Sequence, residues 1–103
     1  MKRDFAPTVY IMASARNGTL YVGVTSNLAQ RIAQHRAGTF GGFSSRCATR
    51  RLVWFEPQAT MEHAIVREKR MKKWRRDWKI RLIEETNSNW NDLALEFGFD
   101  ALC

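Results

Sequence analysis

Residues 8 to 14 and 19 to 25 alternate as two strands on either side of "RNGT". An Asn-Gly pair between alternating runs is the strongest short hairpin signal. A two-residue turn at Asn17-Gly18 pairs Ile11 with Val24 and Ala13 with Val22. That register gathers Val9, Ile11, Leu20, Val22 and Val24 on one sheet face and leaves Tyr10, Tyr21 and Gly23 on the other. A slip of two residues preserves the division, whereas a slip of one destroys it. The tight turn offsets the tyrosines by about 13 Å along the strands; a wider loop brings them opposite each other, and the pattern leaves both open. "RLVWFE", 51 to 56, reads as a third strand with Leu52 and Trp54 on one side and Val53 and Phe55 on the other, so both of its faces are covered.

The period then changes from two to 3.6. Residues 27 to 37 read as a helix ended by Gly38, 61 to 73 as a second with Thr60 as its N-cap, and about 76 to 86 as a third. "NDLALEF" after Asn91 reads as a short last helix, and "GTFGGFSSR" between 38 and 46 as a loop. The order ββαβαα describes one α+β domain over residues 1–103, a small three-stranded antiparallel sheet flanked by helices.

Helical periodicity exposes a conflict. The first helix presents the stripe Leu28, Arg31/Ile32, His35, and the second Met61, Ala64/Ile65, Glu68, Met71. A cation, an imidazole and a carboxylate thus fall on faces that ought to be apolar. A buried ion costs several kcal/mol unless it is paired or bound to a metal, so such positions are candidates for chemistry. Arg31 pairing with Glu68 as a structural salt bridge is the plain alternative. Trp74 and Trp78 extend the second stripe and read as core, with base stacking a minor alternative. Gly38, Gly41 and Gly42 form either a phosphate cradle or a simple connector.

Charge sharpens the picture. Residues 67 to 81, "REKRMKKWRRDWKIR", carry nine of the seventeen Lys and Arg and only two of the ten acids, so the whole net charge of +7 resides there. A positive potential confined to fifteen residues is a footprint for a polyanion. Lys69, Arg70, Lys72, Lys73, Arg75 and Arg76 are the candidate nucleic-acid contacts. No apolar run has the length of a membrane span, and nothing resembles a signal peptide. Cys47 and Cys103 lack metal-site spacing and read as free thiols of a cytoplasmic protein.

At these residues the chain resembles the GIY-YIG nuclease superfamily, in particular its small stand-alone bacterial branch. "TVY" (Thr8-Val9-Tyr10) matches the first motif and "YVG" (Tyr21-Val22-Gly23) the second. "TSNLAQRIAQH" carries the family arginine as Arg31, with His35 four residues on. "AIVREKRMKKW" carries the family glutamate as Glu68, and "LIEETNSNWNDL" supplies Asn87 as the match to the carboxy-terminal Asn segment. Thr8 replaces Gly, Val replaces Ile in both motifs, and Val24 stands where some relatives have lysine.

The resemblance implies a DNA endonuclease dependent on one divalent ion, Mg²⁺ or Mn²⁺, acting in repair or recombination. It implies Glu68 as the metal ligand, Tyr10 as general base assisted by nearby cations, and Arg31 on the scissile phosphate. Tyr21 and His35 orient water or phosphate or carry protons, Gly23 leaves the sheet face open for a backbone to approach, and Asn87 supports the site. RNA remains open as a substrate, as does a homodimer. The competing expectation is a module that binds nucleic acid through residues 67–81 without cutting it.

Overall fold

The computed structural model describes residues 6–36 and 51–98. The glycines at 38, 41 and 42 and both cysteines lie outside these residues. Strands β1 (Thr8–Ala13), β2 (Leu20–Thr25) and β3 (Arg51–Pro57) form one sheet in the order β2-β1-β3, antiparallel throughout. Helices α1 (Leu28–Arg36), α2 (Met61–Lys72) and α3 (Arg76–Thr86) flank it, and a 3₁₀ helix closes the described chain at Leu93–Phe97.

The hairpin register lies between the two expected from the sequence. Ile11 faces Val22 and Tyr10 faces Gly23, a slip of two from the tight-turn pairing. The turn is Ala15–Gly18, closed by the Gly18 amide on the Ala15 carbonyl at 2.9 Å, with Asn17 in the left-handed region at φ 61°. Arg16-Asn17 therefore forms the centre of the turn and Gly18 closes it. Because the slip is even, the faces survive. Val9, Ile11, Ala13 and Val22 form the core of one face with Ala64 and Met71 of α2 and Ile83 of α3. Tyr10 and Met12 pack on the other with Leu28 and Ile32 of α1.

Strand β3 departs from simple alternation. Ile11 pairs with Trp54 and Met12 with Leu52, so Val53 is an extra residue at a β-bulge. Val53 and Trp54 consequently both join the α2/α3 face, while Leu52 and Phe55 join the α1 face. Strict alternation would have split them as Leu52/Trp54 against Val53/Phe55.

The helices start where their caps dictate. Thr60 accepts from the His63 amide at 3.1 Å, and the Asn27 side chain accepts from the Gln30 amide at 3.1 Å. The apolar stripe of α2 is narrower than its sequence pattern: Ala64 and Met71 are buried, but Met61 and Ile65 are exposed at its margin. Trp78 is 45% exposed and so is not core, while Trp74 packs partly against the α2/α3 cluster.

Beyond α3 the chain is stitched to β3 by side chains. Asn87 caps α3; its amide donates to the Val53 and Asn91 carbonyls at 3.0 and 2.9 Å and accepts from the Asn91 amide at 2.9 Å. Asp92 accepts from the Leu52 and Ala94 amides. Trp90 is fully buried and donates its indole N–H to Glu84 at 2.7 Å. Asn87 therefore holds the C-terminal segment on the sheet, and its amide is committed to backbone.

Candidate active site

The hairpin puts Tyr10 and Tyr21 diagonally across from each other, two residues out of register. Their rings sit 6.2 Å apart. Gly23 is directly opposite Tyr10. A Cβ at Gly23 would lie 2.5 Å from the Tyr10 ring and 2.9 Å from that of Tyr21. The space that glycine leaves is thus filled by the two phenols and is not open to an approaching backbone. This is the steric reason for a glycine in the middle of a strand.

Helix α1 then lays one turn across that face. Leu28 and Ile32 anchor it in the core, and the same stripe carries Arg31 and His35 onto the tyrosines. His35 is 4% exposed. Its Nε2 is 3.2 Å from the Tyr10 hydroxyl, and its ring stands edge-on to both tyrosines, at 5.8 Å from Tyr10 and 5.2 Å from Tyr21.

Burial drives His35 down from 6.5 to about 4, with the Arg31 charge acting in the same direction, so the imidazole is neutral at physiological pH. Burial also raises the Tyr10 phenol well above its ordinary value, and Tyr21 adds to the rise. Arg31 opposes it by charge and hydrogen bonding, but desolvation dominates. The cationic assistance expected for Tyr10 is therefore present and outweighed.

Glu68 comes from the second helix, on the other side of the sheet from α1. Helix α2 packs through Ala64 and Met71 on the aliphatic face, opposite α1. Glu68 is bonded to Lys72 one turn on, at 2.6 Å. The Glu68 side chain is 12% exposed and that of Lys72 52%. The hydrogen bond to Glu68 raises the Lys72 ammonium above its ordinary value, and Tyr21 contributes electrostatically. The carboxylate is thus linked to the tyrosine cluster through Lys72, at the edge formed by β2.

The basic segment divides by use. Arg76 donates to the Asn17 and Gly18 carbonyls, both at 2.6 Å, and so ties α3 to the hairpin turn. Arg75 pairs with Asp77 and lies 5.3 Å over the Trp78 ring. Arg67, at 3.1 Å from Glu56, lies over Trp54 and Trp74. Lys69 and Arg70 are exposed on α2, as is Lys73 at its C-cap. Of the expected nucleic-acid contacts, Arg76 already serves the fold. Sequence reasoning missed Lys72 as the partner of Glu68, although the i,i+4 spacing was a usable signal.

This pairing of tyrosines over a strand glycine, with an arginine and histidine from the following helix, places the chain in a nuclease family. The model of the GIY-YIG catalytic domain matches residues 6–81, and the chain belongs to that family, whose domain implies a nucleic-acid substrate. A UPF0213 protein of Staphylococcus haemolyticus is 34% identical over 77 residues, covering 75% of this chain and 93% of that one. The fold is similar to the solution structure of a UPF0213 protein from Bacillus halodurans, with a TM-score of 0.53 at 24% identity over 84% of this chain and 90% of that one. Among the described residues, no helix is long and apolar enough to cross a membrane.

Proposed function

We propose that this protein is a divalent-metal-dependent endonuclease that hydrolyses phosphodiester bonds in DNA, in repair or recombination. The observation that carries the reading is the convergence of Tyr10, Tyr21, Arg31 and His35 on one sheet face, with Tyr10 and His35 at hydrogen-bond distance.

The donor chemistry fits Mg²⁺ or Mn²⁺ held in a sparse mode. Glu68 already faces a cation, the Lys72 ammonium. Mg²⁺ favours one or two carboxylates with the remaining positions taken by water and substrate phosphate, and Glu68 offers one such carboxylate. Glu68 would hold the ion, which when bound supplies charge neutralisation at the phosphate and at the departing oxygen.

The remaining work falls to the chain's own residues. Generating a free phenolate at Tyr10 is opposed by burial. A concerted transfer avoids it: the Tyr10 oxygen takes the proton of the attacking water while its own proton passes to the neutral His35 Nε2. Arg31 supplies a guanidinium charge for the phosphate, in the fork geometry suited to two oxygens. Tyr21, edge-on to the same imidazole, orients water or phosphate.

The test is incubation with supercoiled plasmid and with single-stranded DNA, with Mg²⁺, with Mn²⁺ and with chelator. Nicking or linearisation that chelator abolishes is the expected result. DNA binding without cutting under either metal would leave the binding-module reading.

A further inference from the structure

Trp78 is the large aromatic of α3 that the core does not use. It is 45% exposed. With Trp74, Arg81, Leu82 and Glu85 it lines a cavity of about 200 Å³ where α2 turns into α3. The two indoles meet edge to face at 6.1 Å and 73°, so Trp74, anchored partly in the core, fixes the orientation of Trp78. Arg75 stands over the Trp78 ring at 5.3 Å.

An exposed tryptophan thus lies beside a cavity, inside the segment that carries the chain's whole net positive charge. A stacking surface within a positive field suits an unpaired base, whose face stacks while its flanking phosphates meet the cations. The size narrows the occupant. Drug-sized ligands take cavities of roughly 300–1,000 Å³, so this smaller, open one suits a single ring system, with the sugar and phosphate outside it. The polar groups narrow it further: Arg81 offers donors to a phosphate or base carbonyl, and Glu85 accepts from exocyclic amino or ring N–H groups.

We propose that the Trp74–Trp78 cavity binds one unpaired nucleobase of a single-stranded segment in the nucleic acid this protein engages. The proposal rests on the nucleic-acid substrate implied by the family, and not on catalysis. The chain would thereby distinguish an unpaired or flipped base from regular duplex at a place separate from the tyrosine cluster.

The test is binding of the full chain, in chelator so that cleavage plays no part, followed by fluorescence anisotropy. The probes are a labelled single-stranded 12-mer, its abasic counterpart and the same sequence as duplex, with an RNA 12-mer to distinguish the two sources of an unpaired base. The wild type is expected to bind the intact strand about tenfold more tightly than the abasic one. Trp78→Ala should remove that preference while changing duplex affinity less than twofold, and Trp78→Phe, which keeps an aromatic face, should retain part of it. Equal affinity for intact and abasic strands in the wild type would overturn the proposal without any variant having to fold. A Trp78→Ala variant that weakens strand and duplex equally would also overturn it.

Discussion

The two faces of one three-stranded sheet have been put to different uses. On the α2/α3 side, Val9, Ile11, Ala13, Val22, Val53, Trp54, Met71 and Ile83 make an aliphatic and aromatic core. On the α1 side the same strands present Tyr10 and Tyr21, and the helix that covers them brings Arg31 and His35. The central strand is buried on both faces, so the difference is not one of exposure. It lies in what each face does with desolvation. One face uses it for stability, and the other uses it to hold an imidazole neutral and a phenol protonated.

The widest separation between the faces should appear when each loses one side-chain group. Tyr10→Phe removes the oxygen that exchanges protons, and the cleavage rate should fall by about 10²–10⁴. The hydroxyl's hydrogen bond is worth about 1 kcal/mol, so the melting temperature should fall by only about 4–8 °C. Ile83→Ala should do the reverse, losing about 2–5 kcal/mol of stability with the rate per folded molecule unchanged. Full activity in Tyr10→Phe would break the comparison outright.

Acid should find the polar face first. The His35 imidazole titrates near 6.5 when unfolded and about 4 when folded. A depressed folded value means its contribution is complete above about pH 6.5 and is lost as the pH falls towards 4, by about 3 kcal/mol at most. Denaturant titrations across that window should show the loss in the wild type and much less of it in His35→Gln. The acid limb of kcat/KM, for the same reason, should lie near 4; a limb near 6.5 would mean that His35 is not the group that accepts the proton.

The division between faces was legible in the sequence because side-chain alternation survives any even slip of register. The register itself was not. Asn17 takes the left-handed conformation at the third position of the turn Ala15–Gly18, and a dipeptide signal does not say which turn position it fills. Alternation also failed at Val53, where the bulge is a property of pairing between strands. Arg31, His35 and the tyrosines were found because polar residues on an apolar stripe are visible in one dimension. The side of the sheet from which Glu68 arrives depends on how α2 docks, which its own stripe cannot reveal. Asn87 was recognised as special, but its partners are backbone groups distant in sequence, and only the fold supplies them.

Gly23→Ala tests whether the polar face is as tightly built as the apolar one. The added methyl meets the Tyr10 ring at 2.5 Å. Overpacking of this kind costs about 1–3 kcal/mol, and the rings must shift to admit it. The rate should therefore fall by more than the stability change accounts for. A crystal or NMR structure with the Tyr10–His35 contact intact and the rate unchanged would show that the spacing of the phenols is not part of the chemistry.

The smallest effect lies at the β2 edge, where the faces meet. Lys72→Met removes the ammonium from Glu68 and leaves the carboxylate in place. Lys72 is 52% exposed, and an i,i+4 pair on a helix surface contributes about 0.3–0.5 kcal/mol, so the melting temperature should hardly move. The same figure sets the competition between ammonium and metal for the carboxylate. A divalent ion that no longer displaces a partner worth that much should bind about twofold more tightly, read by Mn²⁺ titration calorimetry or electron paramagnetic resonance in the absence of DNA. Glu68→Ala is the companion variant and should lose that binding altogether. If Mn²⁺ binds equally well to wild type and Glu68→Ala, the carboxylate is a partner for Lys72 and nothing more, and the polar face would then have to act through Tyr10, Arg31 and His35 alone.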